Sequence, residues 1–168
     1  MSVDAAVFTR FEAQIKGLKD QAPPVNLTDA ERVQRAKRVM LEKLDSRTAM
    51  DLETCVHCGM CAEACHFYES TQDPKYTPIH KAYLLRKVYK RELSPMRFFH
   101  RLFLREITAA QLEQWQELVF NSCTECGRCD MMCPMGINIS QAIGISRAAL
   151  NAAGYAPAEL RAVEEEQS

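Results

Sequence analysis

The eight cysteines of this 168-residue chain fall into two copies of one spacing, Cys-x2-Cys-x2-Cys-x3-Cys. The copies are Cys55, Cys58, Cys61, Cys65 and Cys123, Cys126, Cys129, Cys133, and no cysteine is left over. The surrounding residues repeat as well: Thr54-Cys55-Val56-His57-Cys58-Gly59-Met60-Cys61 recurs in pattern as Ser122-Cys123-Thr124-Glu125-Cys126-Gly127-Arg128-Cys129. Three thiolates this close in sequence can take three corners of one [4Fe-4S] cubane, while the fourth cysteine starts a different turn and points to a second cluster. The expected ligand sets therefore cross between the copies. Cluster 1 takes Cys55, Cys58, Cys61 and Cys133, and cluster 2 takes Cys123, Cys126, Cys129 and Cys65. That exchange staples the two halves together and sets two cofactors side by side, as a segment of an electron wire.

Zinc is the competing occupant, and with it a purely structural module whose metal only holds the fold. Structural zinc sites draw on two separated Cys-x2-Cys pairs, whereas a triple run crowds three ligands as a cubane requires. Disulfides are not expected. Met1-Ser2-Val3-Asp4 lacks the start of a signal peptide and no apolar run is long enough to span a bilayer, so the expected compartment is the cytoplasm, where structural disulfides rarely persist. A net charge of −1 and 26% charged residues imply neither nucleic acid nor membrane.

Pro134 follows Cys133 in the expected way, but His66 stands in the matching place after Cys65. His57 and His66 are read as surface residues that could also donate to a cluster sulfur. Met60, Met131, Met132 and Met135 crowd the motifs, where soft side chains could pack around a cluster and exclude water; they are read as core filler with a tuning side effect.

The rest of the chain reads as helices, with no segment alternating like a strand. Val7, Phe11, Ile15 and Leu18 suggest a marginal helix over residues 4–19, ended by Pro23-Pro24. Thr28 and Glu31 form a capping box ahead of a helix over about 29–46, with Val33, Ala36, Met40 and Leu44 on one face. Thr77-Pro78 and Ser94-Pro95 each offer a cap residue before a proline suited to the first helical position. Thr108 and Gln111 form a second box. A last helix is expected from Asn138, with Gln141 three residues on, to a stop at Gly154. The acidic end, residues 164–168, reads as a solvated tail.

Between the motifs, Lys81, Arg86, Lys87, Lys90, Arg91, Arg97, Arg101 and Arg105 stand against the single acid Glu92, interleaved with Tyr83, Leu84, Val88, Met96, Phe98, Phe99, Leu102 and Phe103. The favoured reading is a core helix with a solvated basic face; the alternative is a helix lying against a membrane or an acidic partner.

Two ferredoxin motifs split by a helical insert resemble the α-helical ferredoxin fold, also found in the iron-sulfur subunit of succinate dehydrogenase. Residues 52–61, Asp73-Pro74-Lys75-Tyr76-Thr77-Pro78 and residues 121–129 are similar to the C subunit of heterodisulfide reductase and its bacterial relatives, a likeness covering residues 29–155. Similar sequence opens larger iron-sulfur subunits of membrane complexes linked to dissimilatory sulfite reductase, where a domain with paired-cysteine motifs follows; this chain is expected to lack that domain and to hold no catalytic residues of its own.

The resemblance implies an all-α protein with an N-terminal helical extension and linker (1–28), an α-helical ferredoxin domain (29–155) and a C-terminal tail (156–168). It implies a hetero-oligomer with partners resembling the A and B subunits of heterodisulfide reductase, the first carrying flavin and the second holding the active site, in a complex of sulfur oxidation. The second reading is an iron-sulfur protein of a membrane-associated oxidoreductase linked to quinone or haem.

Overall fold

The computed structural model describes residues 12–14, 16–17 and 25–161. The helix expected over 4–19 lies largely outside the described residues, and the acidic end, 164–168, lies wholly outside them. The chain divides into two compact units, residues 27–155 and a smaller one of residues 1–26 with 156–168. In the smaller unit, residues 12–14 and 16–17 are helical, and the Leu160 and Arg161 amides donate to the Pro157 carbonyl.

The described residues are all helical or irregular, with no strand among them. In unit 27–155, α1 (Asp29–Lys43) starts in the expected capping box: the Thr28 side chain accepts from Glu31 N, and the Thr28 amide donates to Glu31 Oε2 at 2.8 Å. It ends earlier than the periodicity suggests. Leu44 turns extended and Asp45 caps a new helix, α2 (Ser46–Thr54), by accepting from Thr48 N at 2.7 Å. A good cap residue at this point outcompetes continuation of the helix.

Short helices α3 (Met60–Glu63) and α4 (His66–Thr71) follow the first cysteines, then a 3₁₀ turn (Pro74–Tyr76), α5 (Pro78–Lys81) and α6 (Tyr83–Glu92). Pro78 does open α5, but Thr77 makes no side-chain cap; its hydroxyl donates to the Pro74 carbonyl at 2.9 Å. Ser94-Pro95 does not start a helix. Both residues lie in a turn, whose Ser94 carbonyl receives Arg97 N at 2.9 Å, and α7 (Arg97–Phe103) begins after it with Met96 at the cap.

Thr108 and Gln111 form the second capping box ahead of α8 (Ala109–Gln116), which widens into a π-helical turn (Glu117–Asn121) just before Cys123. The second motif carries α9 (Arg128–Met131). The chain then enters α10 (Ile139–Ala152), where the Asn138 side chain accepts from Gln141 N, and leaves it through Gly154 at φ +77°.

α10 is the spine. It buries Ile139, Ala142, Ile143, Ile145, Ala149 and Leu150 and packs most extensively on α1, where Ala36 and Met40 are fully buried. Arg32 of α1 donates to the Ala153 carbonyl at 2.9 Å and lies over the Tyr155 ring. Leu84, Leu85 and Val88 of α6, Leu112 and Trp115 of α8, and Val119 complete the core. Each fully buried Leu, Ile or Val contributes roughly 1.5–3 kcal/mol to folding.

The insert splits into two kinds of helix. α6 is the expected core helix, but its basic side is not the solvated face expected: Lys87 is buried and Arg86, Lys90 and Arg91 are half-buried. α7 buries none of its residues: Phe98, Leu102 and Phe103 are each about three-quarters exposed. It is tied back through charge, since Glu92 pairs with Arg101 of α7 and with Lys37 of α1 at 3.4 Å.

Candidate iron-sulfur centres

The cysteine runs cannot be regular helix, because three thiols must face one point within seven residues. The backbone solves this identically in both copies. His57 and Glu125 occupy the left-handed region at φ +55° and +52°, Gly59 and Gly127 follow at +85° and +71°, and a one-turn helix comes next. Glycine takes that conformation freely, whereas the His and Glu do so at a cost of roughly 1–2 kcal/mol each. The geometry curls each run around its own cavity.

The first cavity is lined by Cys55, Cys58, Cys61 and, from the other motif, Cys133, with Ile79, Ile137 and Ile139 as apolar walls. The second is lined by Cys123, Cys126, Cys129 and, from the first motif, Cys65, with Phe67, Pro78 and Ile143. The lone cysteine in each set comes from the opposite copy. α3 packs on α9, so the cavities adjoin, and the Cys61 thiol of the first acts electrostatically on Cys129 of the second.

The donor sets suit a cubane better than a single ion. Zinc would need its sulfurs converging at about 2.3 Å on one centre. Among the described residues no three Cys, His, Asp or Glu side chains converge in that way; the thiols stand around a space.

Burial, then the carboxylate of Asp130, pushes the Cys129 thiol up to about 12, and burial pushes Cys61 up as well. Buried thiols of this kind become anionic only against a strong local positive charge, such as iron supplies. Cys126, near the surface, is lowered instead, chiefly by the Arg128 amide that donates to its sulfur.

The methionines are not core filler. Met60, Met131, Met132 and Met135 are 42–86% exposed, and of the four only Met135 lines either cavity. They lie on or beside outward turns of the motif helices, where the inner side is given to cysteine. His57 and His66 are exposed at the rims of the first and second cavity respectively.

Sequence reasoning missed three supports. Asp51, 6% exposed, receives Arg47 Nε and the Asn138 amide, both at 3.1 Å, and so ties α2 to the entry of α10 beside the first cavity. Asp130 does the equivalent from α9, receiving the Ser140 amide at 2.9 Å and the Ser140 hydroxyl. Lys81, counted with the solvated basic face, is in fact 1% exposed and lines the second cavity. Only its position behind Pro78 and ahead of Ala82-Tyr83-Leu84-Leu85 hinted at an apolar setting.

An all-helical fold that curls two cysteine runs around adjoining cavities defines a ferredoxin-type metalloprotein. Residues 51–137 match the 4Fe-4S dicluster domain family, and the chain belongs to that family.

The chain is 35% identical over 105 residues to the Hdr-like menaquinol oxidoreductase iron-sulfur subunit 2 of Archaeoglobus fulgidus, and 30% identical over 105 residues to the Hdr-like menaquinol oxidoreductase iron-sulfur subunit of Archaeoglobus profundus. Each match covers 61% of this chain and 19% of the relative. It is 28% identical over 106 residues, 62% of this chain and 25% of the relative, to the D subunit of the dihydromethanophenazine:CoB–CoM heterodisulfide reductase of Methanosarcina barkeri. The likeness to heterodisulfide reductase-type iron-sulfur subunits thus holds, while the match spans a quarter or less of each of these relatives. No solved structure matches the chain. Among the described residues no helix is long and apolar enough to cross a membrane.

Proposed function

We propose that the chain is an electron-transfer subunit whose domain, residues 29–155, holds two [4Fe-4S] clusters, one on Cys55, Cys58, Cys61 and Cys133 and the other on Cys123, Cys126, Cys129 and Cys65. The observation that carries this reading is the shared lining: each cavity takes three thiols from one motif and one from the other. Bound there, a cubane supplies a one-electron carrier whose potential the protein tunes through hydrogen bonds, charge and burial.

The chain's own contribution is positional. Four thiolates fix each centre, Ile79, Ile137, Ile139 and Ile143 keep water from its inner faces, and the crossed ligands hold the two centres adjacent. Substrate chemistry in this reading belongs to a partner. In this reading the partners resemble the A and B subunits of heterodisulfide reductase, one bearing flavin and the other the active site, in a cytoplasmic complex of sulfur metabolism.

Anaerobic pull-down of the tagged chain from its native cells tests the assembly. Stoichiometric recovery of a flavoprotein and a second iron-sulfur protein is expected; a chain recovered alone would contradict the reading.

A second reading has its own observation. Phe98, Phe99, Leu102 and Phe103 are exposed on α7 beside Arg97 and Arg101, a pattern suited to a membrane interface as well as to a protein partner. Flotation of the iron-loaded chain with anionic vesicles separates the two. Co-flotation that is lost in a Phe98→Ser/Phe103→Ser variant would favour a membrane-associated, quinone-linked protein, and a chain left at the bottom of the gradient would favour the soluble complex.

A further inference from the structure

Lys81 is the largest side chain in the fully buried set, and its ammonium faces the second cavity. A buried charge is costly unless it is paired and hydrogen-bonded. Among the described residues no carboxylate forms an ion pair with Lys81. What surrounds Nζ is electron-rich but uncharged or sulfur: the Ser122 carbonyl accepts a hydrogen bond, Cys65 Sγ lies at 3.9 Å, and the Phe67 ring centroid at 5.2 Å. Trp115 Nε1 donates to the Lys81 carbonyl at 3.1 Å and so fixes the backbone from which the side chain extends. The missing counter-charge is the content of the cavity itself, because four thiolates outweigh the positive charge of a cubane core and leave the filled site anionic, more so once reduced.

Among the described residues the first cavity has no equivalent: apart from its cysteines, the only ionisable side chain among them that lines it is His57. Arg86 and Lys90 act on His57 from α6, but neither lines the cavity. Two carboxylates lie near the second cavity. Glu125 is paired with Arg147 at 3.0 Å, whereas Asp130, 3.6 Å from Cys129 Sγ and hydrogen-bonded by the neutral amide and hydroxyl of Ser140, opposes Lys81 from a less buried position. A charge in contact with a ligand sulfur and shielded from water acts far more strongly than charges at the surface.

We propose that Lys81 is the buried counter-cation of the second centre and gives it the higher reduction potential of the two, so that a single electron entering the protein from an external one-electron donor rests at the Cys65, Cys123, Cys126, Cys129 site. This rests on the two-cluster reading above. The electron is lost again to an acceptor of higher potential on a partner, and the ammonium itself is neither consumed nor transferred.

The test is a redox titration of the anaerobically purified full chain with dithionite, followed by electron paramagnetic resonance. One centre is expected to hold the first electron in at least tenfold preference, about 59 mV for a one-electron couple. Lys81→Met should lower that potential and abolish the preference while leaving the other centre in place, and Lys81→Arg should keep the preference. A Lys81→Met protein with both potentials unmoved, or with only the lower one shifted, would overturn the proposal.

Should the neutral variant fail to assemble, Cys65→Ser and Cys133→Ser decide instead. Cys65→Ser must alter the signal that appears first and Cys133→Ser the one that appears second; the reverse order overturns the assignment. Two centres with equal potentials would sink this inference alone, whereas a protein that binds no iron would sink the two-cluster reading and the inference together.

Discussion

The two motif halves share one backbone and differ in what surrounds it. Both turn through left-handed positions at the same places, His57 and Gly59 in one, Glu125 and Gly127 in the other, and both enter a one-turn helix. Yet the first cavity has three isoleucines, Ile79, Ile137 and Ile139, among its apolar walls, and the second has a buried ammonium, an ion pair and a π-helical turn delivering Ser122. Repeated geometry makes two sites of one kind; unequal surroundings are what the role proposed for Lys81 turns into unequal potentials.

The crossed ligands give the largest predicted effect. Cys133→Ala should strip iron from the first site, though Cys133 belongs to the second motif, and Cys65→Ala should strip it from the second. Iron per chain should fall by about half in each, with a different electron paramagnetic resonance signal lost. If each variant instead lost the site of its own motif, the exchange between halves would be wrong.

The supports of α10 come next. Asp51→Ala leaves the Asn138 amide without its acceptor and should cost about 1–3 kcal/mol. Asp130→Ala, at a less buried site, should cost about 1–2 kcal/mol. Extraction of iron by a chelator, followed by the fading of visible absorbance, reads both, and the first centre should be the one released faster in Asp51→Ala.

Gly59→Ala and Gly127→Ala sharpen the likeness of the halves. Each puts a side chain at positive φ, with nothing nearer than 3.9 Å to obstruct it, so the penalty is backbone strain of about 1–2 kcal/mol and should be the same in both. A large inequality in chelator-driven loss would show that the two turns are not equivalent. His57→Gly and Glu125→Gly should break the symmetry by a smaller margin. Both relieve strain and both loosen the unfolded chain, but Glu125→Gly also removes the ion pair with Arg147 and should be the less stable by about 0.2–1 kcal/mol.

What was legible in the sequence was local. Cysteine spacing, the capping boxes at Thr28 and Thr108, the cap at Asn138 and the stop at Gly154 depend on residues a few positions apart, and each is found in the structure. Asp45 is a good cap residue directly after the last apolar position, Leu44, and the helix expected to about residue 46 overran it. Ser94-Pro95 carried the right residues for a helix start, yet the chain uses them in a turn two residues earlier.

The role of Lys81 was not legible, because its burial is created by Cys65, Phe67 and Ser122, the last of them 41 residues away in sequence. Nor was the split of the insert: α6 and α7 have the same basic-aromatic composition, and only packing against α1 and α10 decides that the apolar side of α6 faces inward while that of α7 faces out.

The most direct test of the account is to count iron and acid-labile sulfide in the anaerobically purified chain and to record its electron paramagnetic resonance spectrum after dithionite reduction. Two adjoining cubanes predict about eight irons and eight sulfides per chain, with the broadened spectrum of two interacting paramagnets. Zinc in place of iron, or iron sufficient for only one cubane, would contradict it.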